Sequence, residues 1–195
     1  MNLPKNTTKR VYIDGESSTM VRETANLQAQ VIPIKKSLMK KYVVYPDSTD
    51  FTYGDTTFHF NHPEPKTIAY NLFVLQDLMK YLGLKFNPDF TDLKIAPGRS
   101  SYFKGKKGID IVDSSYNAHI VSMTSALDMV KRMHTNKKWL IIGDIVDQGA
   151  IEEVEHKKLA KLIADANPDT VILVGRRTKK WTAPELKKLG ISAVA

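Results

Sequence analysis

Two groups of polar residues stand where strands should end. Ile109-Asp110-Ile111-Val112-Asp113 runs directly into Ser114-Ser115-Tyr116-Asn117, and Trp139-Leu140-Ile141-Ile142-Gly143 runs into Asp144. Open α/β sheets bind ligands at the carboxyl ends of their strands, so both ends are candidate sites. A carboxylate and an amide there can hydrogen-bond a ribose or a base edge, and a tyrosine can pack on a purine ring. Arg99, in Pro97-Gly98-Arg99, can meet a phosphate as a bidentate donor. The same residues admit a local reading, in which Asp113 and Ser115 cap the helix that follows and Arg99 is a surface charge.

Other chemistries find little support. A phosphate loop needs Gly-x-x-x-x-Gly-Lys-[Ser/Thr] between strand and helix. Gly105-Lys106-Lys107-Gly108 lacks that spacing and reads as a hairpin turn. There is no Gly-x-Gly-x-x-Gly for a dinucleotide and no Gly-x-Ser-x-Gly elbow for a serine nucleophile. The histidines are His59, His62, His119, His134 and His156, and none has a second ligand at metal spacing. No metal site is therefore expected.

The 195 residues contain no cysteine, which excludes disulfides and thiolate chemistry and fits a reducing compartment. Residues 1–20 are polar and have no apolar signal core. No apolar run reaches the roughly 18 residues that span a bilayer. A cytoplasmic protein without a membrane span is expected. The net charge is +8, with lysines and arginines gathered at Lys35–Lys41, Lys104–Lys107 and Arg176–Lys188. Such a surface attracts polyanions. No aromatics interleave with it as a stacking platform requires, so a solvated basic face is favoured over nucleic-acid binding.

The elements that must position these residues follow from periodicity. Arg10–Asp14 and Gln30–Ile34 read as strands around a helix at Thr19–Gln28, with Ser17 or Ser18 as its cap. Tyr42–Tyr45 is a further strand. Phe51–Tyr53 and Thr56–Phe60 form a hairpin at Gly54-Asp55. Lys66–Leu82 repeats leucines at helical spacing and stops at Gly83. Ile95-Ala96-Pro97-Gly98 marks a boundary. Beyond it come a hairpin (Ser101–Lys104 with Ile109–Asp113), a helix at Val121–Met133, a strand at Trp139–Ile142 and a helix at Ala150–Ala166. Thr170–Val174 is apolar throughout, which predicts a central parallel strand covered on both faces. A short helix at Pro184–Leu189 and a strand at Ile191–Val194 complete the pattern. The expectation is an α/β fold: a Rossmann-like, mostly parallel C-terminal sheet over residues 97–195, preceded by a smaller α/β region over residues 1–96.

The ordered set Pro97-Gly98-Arg99, Asp113-Ser-Ser-Tyr-Asn-Ala118, Ser122-Met123, Ala126-Leu127, Gly143-Asp144, Gln148-Gly149 and His156 resembles the C-terminal domain of the Mur ligases. The D-alanyl-D-alanine-adding (MurF-type) branch is the nearest in pattern. More loosely, Val11–Asp14 and the helix with Ala69, Asn71 and Leu72 resemble the end of the family's central domain. The resemblance implies an ATP-dependent amide-bond ligase of peptidoglycan-precursor synthesis, which joins carboxylate to amine through an acyl phosphate. It implies that Arg99, Asp113, Ser114, Tyr116 and Asn117 face nucleotide, and that His119, Asp144 and His156 lie toward the substrate or the closing interface. For His156 a second reading stands, in which it only ties down a loop.

The departures are specific. The family's N-terminal domain, phosphate loop and magnesium ligands are absent from this chain, so ATP and Mg are implied with their phosphate and metal ligands elsewhere. Ser114 stands where the family has a ribose-binding aspartate, and His119-Ile120-Val121 where it has Asn-Pro-x. The chain is therefore expected to supply the closing lid of the site and to be inactive alone. Two alternatives stand beside this: a split ligase whose partner carries the phosphate loop, and a non-enzymatic binding module with a basic surface.

Overall fold

A computed structural model describes residues 7–116 and 118–195; the expected site residue Asn117 lies outside the described residues. In chain order the elements are β1 (Arg10–Asp14), α1 (Ser18–Thr24), β2 (Gln30–Ile34), β3 (Met39–Tyr45), β4 (Ser48–Tyr53), β5 (Thr56–Phe60) and α2 (Ile68–Tyr81). Then follow β6 (Ser101–Lys104), β7 (Asp110–Asp113), α3 (Ile120–Arg132), β8 (Trp139–Gly143), α4 (Glu152–Asp165), β9 (Thr170–Val174), α5 (Ala183–Lys188) and β10 (Ala193–Val194). Strands β3, β4 and β5 form one sheet in chain order. Two compact units interleave along the sequence: residues 7–42, 51–58 and 67–88 form one, and residues 43–50, 59–66 and 89–195 the other.

In the first unit β1 and β2 pair in parallel, from Arg10 opposite Gln30 to Asp14 opposite Ile34. The Ser17 hydroxyl caps α1 by accepting from the Met20 amide at 3.3 Å, as its position predicts. The helix stops at Thr24, short of the expected Gln28. Thr24 Oγ1 donates to the Met20 carbonyl at 2.7 Å, a back-bond that loosens helices. Asp77 on α2 accepts from the Tyr12 hydroxyl at 2.8 Å and pairs with Arg10, whose guanidinium also covers the Tyr81 ring. Phe51 stacks on Phe58, and Tyr53 meets Tyr70 and Phe73.

In the second unit β8, β9 and β10 form a parallel sheet with β9 in the middle. The chain advances from β8 through α4 to β9 and through α5 to β10. Right-handed crossovers taken in one direction put both helices on the same face. The core confirms it: Leu140, Ile142, Val171 and Leu173 point inward against Ile120, Met123 and Leu127 of α3, Leu159 and Ile163 of α4, and Leu186 of α5. The opposite face is not covered. Trp139, Ile141 and Val174 are exposed there, which corrects the expectation that β9 is sheltered on both sides. An all-apolar run says only that neither face is charged; which face is covered depends on where the crossovers lie. β6 and β7 form a separate antiparallel hairpin, Ser101 opposite Asp113.

Candidate functional site

The first cluster is built on a backbone crossing. Gly98 has φ +76°, and a Cβ there would lie 2.9 Å from the Tyr116 Cβ and 3.1 Å from its amide nitrogen. Only a residue without a side chain fits this approach. The Tyr116 amide donates to the Gly98 carbonyl at 3.0 Å, and the Gly98 amide donates to Ser101 Oγ at 3.0 Å. The loop before β6 is thereby tied to the loop after β7. Ser100 and Ser114 meet through their hydroxyls at 3.2 Å. The Arg99 guanidinium lies 4.5 Å from the centroid of the Tyr116 ring, a favourable cation–π geometry.

Arg99, Ser114 and Tyr116 are therefore brought together, with Asp113 at the end of the same strand. Asp113 Oδ1 accepts from the Ser115 amide at 2.9 Å, closing a tight turn and capping no helix. Tyr116 is 55% exposed, and the exposed Arg99 side chain makes no hydrogen bond or ion pair among the described residues. A guanidinium with no partner among the described residues, beside an open aromatic ring, suits a ligand that is both planar and anionic.

His119 serves the helix that follows. Its Nδ1 accepts from the Ser122 amide at 3.2 Å, while Ser122 Oγ accepts from the His119 amide at 3.0 Å. This reciprocal pair caps α3 in a capping-box arrangement.

The second cluster forms behind β8. Asp144 accepts from the Thr178 amide at 2.8 Å and the Arg177 amide at 3.1 Å, at the start of the π-helical turn Thr178–Thr182 that leads into α5. It caps that segment from across the sheet. Burial pushes the Asp144 carboxyl up, but these amide donors outweigh it and hold it below the usual carboxylate range. The Arg177 side chain pairs with Glu152 and lies 3.8 Å from Asp144 Oδ2.

His156 on α4 is fully buried. Its Nε2 accepts from the Ile145 amide at 3.2 Å, and its Nδ1 donates to the Glu152 carbonyl at 2.7 Å. An acceptor on one nitrogen and a donor on the other define a neutral ring of one tautomer. Its ring lies 5.5 Å from that of Trp181. Residues the sequence reading passed over complete this cluster: Glu152, Gly175, Arg177 and Thr178. Their one signal was a glycine directly after an apolar strand. Gly175 has φ +125°, and a Cβ on it would fall 2.3 Å from the Asp144 carboxylate.

Among the described residues no group of three His, Asp or Glu could hold a metal ion. The residues present do not fit a magnesium site, whereas the Arg99–Tyr116 pair fits the base and phosphate character of a nucleotide. A depression of about 170 Å³ lined by Asp14, Ile34, Lys36 and Tyr70 belongs to the first unit and includes none of the expected site residues. No helix among the described residues is long and apolar enough to cross a membrane.

With this geometry in hand, comparison with known proteins is decisive for the second unit. The Mur ligase glutamate ligase domain matches residues 98–191. Residues 98–191, just under half of the chain, thus resemble the C-terminal domain of the Mur ligases. The UDP-N-acetylmuramoyl-tripeptide–D-alanyl-D-alanine ligase of Bacillus subtilis is 31% identical over 85 residues, covering 43% of this chain and 19% of that enzyme. The Escherichia coli enzyme of the same name is 31% identical over 87 residues, covering 45% and 19%. Among solved structures, the Thermotoga maritima MurF ligase in complex with ADP aligns with all of this chain and 46% of its own, at TM-score 0.76 and 19% identity. A MurF from Acinetobacter baumannii aligns over 95% of this chain and 42% of its own, at TM-score 0.71 and 18% identity. The likeness of fold thus reaches beyond the Mur ligase domain to the first unit, and the chain spans less than half the length of the enzymes it matches.

Proposed function

We propose that this chain supplies the lid side of the nucleotide site of a cytoplasmic, ATP-dependent amide-bond ligase acting on a nucleotide-linked peptidoglycan precursor, of the D-alanyl-D-alanine-adding kind. In this reading residues 1–96 are the end of a central domain and residues 97–195 the closing C-terminal domain. Arg99 and Tyr116 take the nucleotide's phosphate and base, Asp113 and Asn117 its polar edges, and Ser114 a weaker ribose contact than a carboxylate gives. His119, Asp144 and His156 act by holding the closing surface in shape. Closure of such a lid excludes water and fixes the reactants.

The observation that carries this reading is the Arg99–Tyr116 pair, an exposed guanidinium over an exposed ring. Calorimetric titration of the full chain with ADP and ATP tests it. Weak saturable binding is expected, abolished by Arg99→Ala and by Tyr116→Ala while the far-UV circular dichroism stays unchanged. Binding that survives both substitutions overturns it, as does steeply salt-dependent DNA binding with no nucleotide signal. The chain alone is expected not to turn over ATP with a dipeptide acceptor.

As an alternative we propose that a separate polypeptide brings the phosphate loop and metal ligands. Affinity purification from the native source is expected to recover an ATP-binding partner, and recovery of the chain alone counts against it.

A further inference from the structure

The turn that carries Arg99 runs into a strained serine. The Arg99 amide donates to the Ala96 carbonyl at 3.3 Å, closing a turn through Pro97 and Gly98, the residue types that suit it. One residue beyond Arg99 the backbone is left-handed again, at Ser100, with φ 60°. Among the described residues three other non-glycines share a positive φ: Lys107, Asp147 and Asn167. Aspartate and asparagine tolerate that region, and Lys107 lies in the exposed turn between β6 and β7. Ser100 is the one of the four that stands beside the Arg99–Tyr116 pair. Glycine would meet its backbone requirement without strain. What serine adds is a hydroxyl, and side chains kept on a strained backbone cluster at ligand sites.

The Ser100 hydroxyl meets that of Ser114 at 3.2 Å, and neither has a further partner among the described residues. Two hydroxyls joined by one hydrogen bond use one of their two protons, so an O–H donor and several lone pairs stay available. Both residues are half-buried. Ser100 follows the guanidinium in sequence, and Ser114 precedes the aromatic ring by two residues. A neutral pair that both donates and accepts is the complement of a ligand group that does the same, a hydroxyl, where the neighbouring cation and ring suit an anion and a planar base. We propose that Ser100 is a specificity residue of the nucleotide site, and that its hydroxyl, aligned by Ser114, reads a sugar hydroxyl of the ligand. This rests on the nucleotide reading above and adds a residue to it. Stability is given up at Ser100 so that a hydroxyl stands there.

The test titrates the full chain with ADP and with dideoxy-ADP, which lacks both sugar hydroxyls, in the parent, Ser100→Ala and Ser100→Gly. Both variants lose the side-chain hydroxyl, but only alanine keeps the backbone strain. Urea midpoints should therefore place Ser100→Gly above Ser100→Ala. ADP affinity should fall to the same extent in both, roughly threefold to tenfold, the worth of one neutral hydrogen bond. The parent should prefer ADP over dideoxy-ADP by a similar factor, and that preference should shrink toward one in both variants, as a cycle between two contacting groups requires. Affinity that follows stability, lowered by alanine and parental with glycine, overturns the proposal, because Ser100 then matters only through its backbone. So does a preference for ADP that survives both substitutions, because the sugar is then read elsewhere. A parent that binds ADP no better than either variant does overturns this inference and leaves the nucleotide reading standing. A parent that binds no ADP overturns both.

Discussion

The amide of Tyr116 donates to the carbonyl of Gly98 at 3.0 Å, and no side chain can be added at Gly98 without striking Tyr116. The contact holds Arg99 over the aromatic ring. Gly98→Ala meets both a left-handed φ of +76° and a Cβ contact of 2.9 Å. It is expected to destabilise the second unit by about 1–3 kcal/mol. Arg99→Ala loses only an exposed cation–π contact, at most about 1 kcal/mol. Urea titration followed by circular dichroism separates them: Gly98→Ala shifts the midpoint and Arg99→Ala hardly moves it, while both abolish the nucleotide signal.

Asp144 makes stability depend on pH with a definite sign. Its carboxyl is held below the usual range in the fold, by amide donors that outweigh burial. The unfolded chain takes up this proton near an ordinary pKa of about 3.9. Below about pH 5 the unfolded state therefore binds more protons, and the contribution of Asp144 is lost as pH falls through the folded pKa; above that window it is fully present. Asp144→Asn should cost about 1–3 kcal/mol at neutral pH, because charge-assisted bonds to the Arg177 and Thr178 amides are weakened. Its stability should also fall less steeply than the parent's on acidification. Urea midpoints measured from neutral pH down to about pH 3 check both points.

How much of this was legible in the sequence depends on how local each feature is. The strands of residues 97–195 were legible because short apolar runs there end on glycine or aspartate. The Arg99–Tyr116 neighbourhood was legible because one hairpin carries both loops. The role of Asp144 was not; for His156 one of the two readings, a residue that ties down a loop, matches its bond to the Ile145 amide, though not which loop it ties. Asp144 bonds residues 33 and 34 positions away, and the His156 ring is held by the amide of Ile145. Periodicity carries no information at that range. His119 was placed in the site region and is an N-cap, a place where serine or aspartate is the usual reading. The bare sheet face was hidden for a different reason: Thr170–Val174 reads alike whether one face or two are covered.

Gly175 and Asp144 should prove strongly coupled. A Cβ at Gly175 would sit 2.3 Å from the Asp144 carboxylate, on a backbone with φ +125°. Gly175→Ala is expected to cost more than about 3 kcal/mol, from steric overlap plus backbone strain. Asp144→Ala removes the obstructing carboxylate but leaves the strain. Gly175→Ala should therefore cost about 1–2 kcal/mol less in the Asp144→Ala background than in the parent, a departure from additivity expected only of residues in contact. Additive losses in the double-mutant cycle would show that the carboxylate does not occupy this space.

His156 is the strongest case for a buried polar residue that serves structure. Its Nε2 is the acceptor for the Ile145 amide, and Ile145 is itself fully buried. His156→Leu keeps most of the volume against Trp181 but orphans that amide. An unsatisfied buried donor costs about 1–3 kcal/mol, and the changed packing adds to it. His156→Gln can present an amide oxygen to Ile145 and a donor to the Glu152 carbonyl, so it should recover part of the loss. The order of urea midpoints is expected to be parent, then His156→Gln, then His156→Leu. Hydrogen exchange at the Ile145 amide gives a local readout: protection should fall in His156→Leu beyond what the global loss explains, and return in part with glutamine. If all three chains protect Ile145 equally once corrected for global stability, the histidine is not the group that holds this loop, and its place in a closing surface must be sought through some other contact.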